Sequence, residues 1–319
     1  MTIQVIKAGM QTTIQDLGRH GWQSYGISVC GAMDHWAARL ANFVLDNDEN
    51  EAVIEMAFRG PTLKIQKNLI LAIFGADMGA EWNGRRMEIG KPIFVQKGDI
   101  LTFSYAKDGT RTYLAVKGGF FIEKVLNSYS TDMRTGMGGI CGRALKKGDI
   151  LPVKESSDFH HALWGLPSHA RNYIRENIIP IHFIKGRQYD WFTKESLLLF
   201  ESESFTIEPH SDRMGYRLSG PVLNWKDSQE LITEGTAFGS IQVPPKGQPI
   251  ILMADRQPTG GYPKIGEVMT CDLPRLSQMR PGDRVRFQEI SLQEAQQRTQ
   301  EQQQLLKKIR TACQLKWKD

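Results

Sequence analysis

Short apolar runs alternate with glycine- and aspartate-rich turns along most of the chain, and that alternation predicts strands. A first set comprises Ile3 to Ile6, Thr62 to Ile65, Leu69 to Phe74, Pro92 to Val95, Ile100 to Tyr105 and Thr112 to Val116. A second comprises Ile178 to Ile184, Phe205 to Ile207, Leu231 to Thr233, Ser240 to Val243, Pro249 to Met253 and Arg284 to Phe287. Helical periodicity is rarer. Asp34 precedes Ala37, Leu40, Ala41 and Val44, which share one face of a helix, so a helix capped by Asp34 is predicted to about Leu45. Shorter helices are predicted over Tyr189 to Leu199 and Leu273 to Met279. The tail opens with a capping box, Ser291-Leu292-Gln293-Glu294, and its helix is expected to reach about Gln314. Its apolar positions, Leu305, Ile309 and Ala312, make a thin face suited to the surface or to a partner chain.

Many short strands at close spacing point to barrels or sandwiches rather than to a doubly wound sheet. The expected fold is mainly β, with two barrel-like domains, few short helices and a C-terminal helix. With 319 residues the chain has room for two domains, at roughly 150 residues each. The segment 154–178, rich in Ser, His and charge, separates the two strand sets. The expected division is 1–160, 161–290 and a polar helix over 291–319.

Composition narrows the class. Hydrophobic residues at 40% and charged residues at 24% are ordinary for a folded, soluble protein. The longest apolar run, Leu69 to Phe74, is far short of the roughly 18 residues of a spanning helix. The N-terminus shows no secretory pattern. Net charge is 40 − 35 = +5, and the basic residues are spread along the chain, which argues against a nucleic-acid surface. Four scattered cysteines without a CxxC pair fit a reducing cytoplasm.

Familiar catalytic signatures are missing. The chain has no P-loop, no GxSxG elbow and no HExxH. His160-His161 is an adjacent pair whose side chains diverge, so no metal site is expected. The candidate chemistry sits in four polar loops dense in Gly, Arg and Asp. The first runs from Thr12 to Gly21 and on to Asp34; Asp16 and Arg19 can hold an anion or each other. The second runs from Ser130 to Arg143. There Arg134 and Arg143 flank Gly138 and Gly139, equipment for a carboxylate or phosphate or, equally, a long hairpin. The third carries Arg213 and Tyr216. The fourth follows a buried strand and carries Asp255, Arg256, Gly260, Gly261 and Tyr262. Glu234 is a candidate general base, and Gln242 a further ligand contact.

At these loops the chain resembles a known family. Thr12 to Arg19, Gly31-Ala32-Met33-Asp34, Arg213 to Leu218, Ile241-Gln242-Val243-Pro244-Pro245 and Ala254 to Pro263 are similar, in order, to motifs of the C-subunit family of bacterial 5-oxoprolinase. That family is also described as allophanate-hydrolase-subunit-2-like, as biotin-dependent carboxyltransferase-like, and as an antagonist of a sporulation-kinase inhibitor. The similarity runs from about residue 3 to about residue 288 and leaves out the tail.

The resemblance implies cyclophilin-like β-barrels. It implies two partners, the kinase-inhibitor-like B component and the A component of 5-oxoprolinase, with which the chain converts 5-oxoproline to glutamate at the expense of ATP. With no P-loop, ATP is expected to be bound with or on a partner. The expected catalytic residues are Glu234, Asp255 and Arg256. The expected substrate contacts are Arg134, Gly138, Gly139, Arg143, Arg213, Tyr216, Gln242, Gly260, Gly261 and Tyr262. Two other readings stay open: a regulator that sequesters a kinase inhibitor, and a carboxyltransferase module acting with a biotin protein. No biotin-acceptor segment is present in the chain.

Overall fold

The computed structural model describes residues 2–155, 164–174, 180–226 and 231–318. The boundary expected at 160/161 and the His160-His161 pair lie outside the described residues. The chain divides into two compact units. Met1–Arg19, Cys30–Arg175 and Leu305–Asp319 form the first, and His20–Val29 with Glu176–Gln304 form the second.

The first unit holds β1 (Ile3–Lys7), β2 (Gln11–Gln15), helix α1 (His35–Val44), β3 (Val53–Ala57), β4 (Thr62–Ile65), β5 (Leu69–Gly75), β6 (Glu81–Trp82), β7 (Arg85–Arg86), β8 (Ile93–Val95), β9 (Ile100–Thr102), β10 (Arg111–Val116) and β11 (Ile150–Leu151). They form two sheets, ordered β11-β1-β4-β9-β6-β7 and β2-β3-β10-β5-β8. One core lies between the sheets, where Leu69, Leu71 and Ile73 of β5 meet Ile3, Val5 and Leu63. The alternate residues of β5, Ile70, Ala72 and Phe74, face α1 on the other side. A strand covered on both faces reads as an unbroken apolar run, as Leu69 to Phe74 does. Asp34 caps α1 as expected, its Oδ1 accepting the Ala37 N–H at 2.9 Å.

The second unit holds β12 (Pro180–Lys185), α2 (Lys194–Ser202), β13 (Ser204–Ile207), β14 (Gly215–Ser219), β15 (Glu234–Gly235), β16 (Ser240–Gln242), β17 (Ile250–Leu252), β18 (Thr259–Gly260), β19 (Lys264–Val268), α3 (Leu273–Gln278) and β20 (Arg284–Glu289). Seven of these strands close into a barrel, β12-β19-β16-β17-β14-β13-β20, sealed by the parallel pairing of β12 with β20. Its interior is aromatic. Phe200 of α2 stacks on Phe287 with ring centroids 4.4 Å apart and meets Phe183 edge-on at 5.0 Å. The mainly β architecture read from the sequence is the one the chain adopts.

Several details differ from the sequence reading. Thr12 to Gln15 and Gly215 to Ser219, read as loops, are strands. Leu231 to Thr233 is not a strand; pairing begins at Glu234. The helix expected from Tyr189 starts as a 3-10 turn over Tyr189–Trp191, and α2 begins after Thr193, whose hydroxyl accepts the Ser196 N–H.

The tail helix α4 (Leu292–Lys318) is longer than expected, and its inward face shares only Ile309 with the expected one. Leu306 and Cys313 are buried, and Ile309 and Trp317 pack against the core that includes α1. Leu305 is 48% exposed and Ala312 is also exposed. Cysteine and tryptophan supply half of that face, which is why counting only aliphatic positions made it look thin. Among the described residues no helix is long and apolar enough to cross a membrane. No group of three or more His, Cys, Asp or Glu side chains there could hold a metal ion.

Candidate functional site

In the first unit, the polar loops are pinned to the scaffold. Asp16 and Arg19 do not pair with each other. Asp16 accepts from the Gly18 and Tyr129 N–H groups at 2.8 and 2.7 Å and from the Ser128 hydroxyl at 2.8 Å. Arg19, fully buried, donates to the carbonyls of Val125 and Ser130 at 3.0 and 2.8 Å. The Gly31-Ala32-Met33-Asp34 motif is likewise structural. Ala32 N–H donates to the Asp16 carbonyl, Met33 N–H to Glu55 Oε2, and Asp34 N–H to the Tyr113 hydroxyl, each at 2.8 Å.

The glycine run of the second loop is folded on itself. The N–H groups of Gly136 and Met137 donate to the Asp132 carbonyl, Gly139 to Tyr129 and Gly142 to Gly138. A Cβ at Gly138 would lie 2.1 Å from the Ser130 carbonyl oxygen, and one at Gly139 would lie 2.0 Å from Thr131 Oγ1. These glycines therefore serve close packing, and four of the loop's donors are spent internally instead of lining an anion cradle. Arg143 forms a two-point ion pair with Asp149, at 2.7 and 3.0 Å. Its hydrogen bonds hold the Asp149 carboxyl below the usual range. Arg134 is exposed on the same loop.

The second unit carries an open groove of about 510 Å³. Its floor follows from strand alternation. Tyr216, Leu218, Ile241 and Ile251 point into the barrel and are buried. Gly215, Arg217, Ile250, Leu252 and Gln242 therefore face outward, and they form the groove floor. One wall is the turn from His210 to Met214. The other is the segment from Gln257 to Tyr262, including Gly260 and Gly261. Of the residues expected to touch substrate, Gln242, Gly260, Gly261 and Tyr262 come together here. Tyr216 does not. It is 3% exposed inside the barrel, because its position in β14 has the opposite parity to Arg217.

Arg213 and Asp255 hold each other at 2.8 and 2.7 Å, with Arg213 buried. Arg256 is buried too, its Nη1 3.5 Å from the carbonyls of Met253 and Ala254 and its guanidinium 5.9 Å from the Phe238 ring centre. Glu234 is bound by Gln188 at 3.1 Å, Lys264 at 3.3 Å and Arg187 at 3.4 Å. Burial opposes its charge, but these hydrogen bonds and cations outweigh burial and keep its pKa below the ordinary value. A carboxylate so held is a weak base near neutral pH.

A carboxyl that the sequence reading missed has the opposite character. Glu267 pairs across the ladder with Ser240 and accepts a hydrogen bond from its hydroxyl at 2.7 Å. Burial raises its pKa, against the pull of Ser240, Lys264 and Arg256. Ser240 stands two residues before the groove residue Gln242 in β16, which puts Glu267 one strand pair away from the groove lining. Its signal in the sequence was a lone acid in Lys264-Ile265-Gly266-Glu267-Val268, a strand interrupted by glycine. Perturbed carboxyls beside clefts are enriched at functional sites.

Comparison with known proteins agrees with this architecture. The carboxyltransferase domain family, subdomains A and B, matches residues 25–289. The 5-oxoprolinase C subunit of Haemophilus influenzae is 40% identical over 299 residues, covering 92% of this chain and 93% of the relative. That of Escherichia coli is 36% identical over 314 residues, covering 96% and 97%. The crystal structure of the Kluyveromyces lactis urea carboxylase superposes with a TM-score of 0.90 at 27% identity. That match covers 97% of this chain but only 29% of the larger enzyme. Matched nearly end to end by two 5-oxoprolinase C subunits and over most of its length by the carboxyltransferase domain, this chain belongs to that family.

Proposed function

We propose that this chain is the C component of a multi-subunit, ATP-dependent 5-oxoprolinase and that the groove of its second unit holds 5-oxoproline. The observation that carries the reading is the reciprocal coverage: relatives named as the C subunit of 5-oxoprolinase align over 93% and 97% of their own lengths. A five-membered lactam is a resonance-stabilised amide with a poor leaving amine. Transfer of a phosphoryl group to its carbonyl oxygen would give an imidate phosphate that water can attack. The chain's part is to bind and orient the lactam and to move protons near it.

The nucleotide belongs to a partner protein in this reading, because the glycine loop of the first unit uses its N–H groups internally. The partners are the A component and the kinase-inhibitor-like B component of the enzyme, and the setting is the cytoplasm. The test is co-purification with the products of neighbouring genes, followed by an ATPase assay. ATP hydrolysis and glutamate release that depend on 5-oxoproline and on the complex support the reading. A complex that forms but turns over neither ATP nor 5-oxoproline refutes it.

The family description favours a second reading, carboxyl transfer with a biotin-bearing protein. Decarboxylation of carboxybiotin by the chain, without any response to 5-oxoproline, would select it.

A further inference from the structure

Arg217, Ile250 and Gln242 stand in one row across three neighbouring strands. Arg217 of β14 is the register partner of Ile250 in β17, and Ile250 is in turn the partner of Gln242 in β16. All three line the groove. Two inter-strand steps of about 4.8 Å put the Arg217 and Gln242 backbones roughly 10 Å apart, with an apolar side chain between them. The row thus presents a cation, a hydrocarbon patch and a carboxamide, in that order.

Each end has a definite chemical preference. The Arg217 side chain is exposed, and a guanidinium offers parallel donors that fit a carboxylate. A carboxamide carries a donor and an acceptor side by side. Its complement is another amide edge with N–H and C=O on the same side, the arrangement a ring amide is forced to adopt. Gln242 is 5% exposed, and its carboxamide makes a long hydrogen bond, 3.4 Å from Nε2 to the Tyr262 carbonyl. Gly260 leaves room for it: a Cβ there would lie 2.5 Å from Gln242 Nε2.

We infer that Arg217 and Gln242 are the specificity-determining pair of the groove, selecting a small ring amide that bears a carboxylate. Arg217 takes the carboxylate, Ile250 supports the ring methylenes, and the Gln242 carboxamide pairs with the amide edge. This assignment rests on the reading of the groove as the 5-oxoproline site and adds which atoms discriminate. A cyclic urea such as biotin shares the amide edge but carries its carboxylate on a long chain, beyond the span of the row.

The test is ligand binding to the full-length chain, alone and in complex with its partner proteins, read by ligand-observed NMR and calorimetry. The probes are L-5-oxoproline, 2-pyrrolidinone, L-proline and biotin. Wild type is expected to bind L-5-oxoproline most tightly. Arg217→Ala should weaken L-5-oxoproline by about 10- to 100-fold, the worth of a charged hydrogen bond, and leave 2-pyrrolidinone unchanged. Gln242→Leu should weaken both lactams and remove the preference for L-5-oxoproline over L-proline. Gly260→Ala, which displaces the carboxamide without altering it, should reproduce the Gln242→Leu pattern; its melting temperature controls for folding.

Wild-type affinity for L-5-oxoproline in Arg217→Ala or Gln242→Leu overturns the pair while leaving the groove reading intact. No binding of L-5-oxoproline by wild type, in either form, overturns both. Biotin binding that depends on Gln242, without lactam binding, overturns the lactam assignment in favour of the carboxyl-transfer reading.

Discussion

Arg213 and Asp255 close a two-point ion pair whose nitrogen–oxygen distances are 2.8 and 2.7 Å, joining two loops that the sequence marks as binding loops. A backbone hydrogen bond from Asp255 N–H to the Arg213 carbonyl, at 2.8 Å, runs beside it. With both sides of the fork occupied, this arginine is committed to the scaffold and frees the neighbouring segments to wall the groove.

Asp255→Ala should therefore act on stability before it acts on ligand binding. It removes the carboxylate from a buried guanidinium, a loss of about 3–5 kcal/mol. Arg213→Lys keeps the charge but not the fork and should fall between wild type and Asp255→Ala. Urea unfolding checks both. An Asp255→Ala variant with wild-type stability and lost activity would return Asp255 to the catalytic group.

The strand pattern was legible where one face or both faces are plainly apolar, as in β5 and β10. It failed at β3 and at β14. In β3, Glu55 interrupts the apolar run, and only the fold supplies its partners, the Tyr113 hydroxyl at 2.8 Å and the Met33 N–H. In β14, Gly215 and Arg217 face the groove, so an outward row with no apolar side chain looked like a loop. Motif resemblance pointed to the loops that wall the groove but could not separate Arg213, which is paired, from Arg217, which faces the groove. That distinction depends on strand parity and on a partner 42 positions away.

Glu267→Gln gives a pH-dependent prediction with a definite sign. The folded-state pKa of Glu267 is raised, chiefly by burial. Its proton is bound more tightly in the folded chain, so the stability it contributes is full below the unfolded pKa and is lost as pH rises through the folded value. Glutamine mimics the neutral form and can still accept from Ser240. The variant should match wild type in acid and become the more stable of the two as pH rises through that window. Melting curves from pH 4 to 8 decide it; a constant offset between the two proteins would show that the charge of Glu267 is not what sets the difference.

Thiol chemistry should separate the cysteines cleanly. Cys141 is exposed, whereas Cys30 and Cys313 are buried. Burial, with the Asp46 charge as a lesser contribution, pushes the Cys313 thiol up to about 12. Iodoacetamide at pH 8 should label Cys141 in the native chain and reach Cys30 and Cys313 only after denaturation. Mass spectrometry of the labelled peptides reads the outcome, and rapid native labelling of Cys313 would mean that the end of α4 leaves its seat.

Removal of residues 305–319 tests the role of the tail, and here the structure reverses what its polar composition suggests. Leu306 and Cys313 are buried in the core under α1, and Ile309 and Trp317 pack onto it. Trp317 Nε1–H donates to the Val44 carbonyl at 3.0 Å, satisfying an acceptor at the end of α1. The Lys117 ammonium lies 3.6 Å from the Trp317 ring centre, and Trp164 meets that ring edge-on at 6.3 Å. Full burial of one large apolar side chain is worth about 1.5–3 kcal/mol, so losing four packed side chains takes several kcal/mol from a domain whose whole stability is about 5–15 kcal/mol. Truncation after Gln304 should lower the melting temperature markedly or leave the first unit unable to fold. Trp317→Ala, a milder change, should lower it by a few degrees. Pull-down of partner proteins by the Trp317→Ala chain then separates the two roles a tail can have. Retained binding with reduced stability makes the tail an internal packing element. Lost binding at unchanged stability would make it an interface.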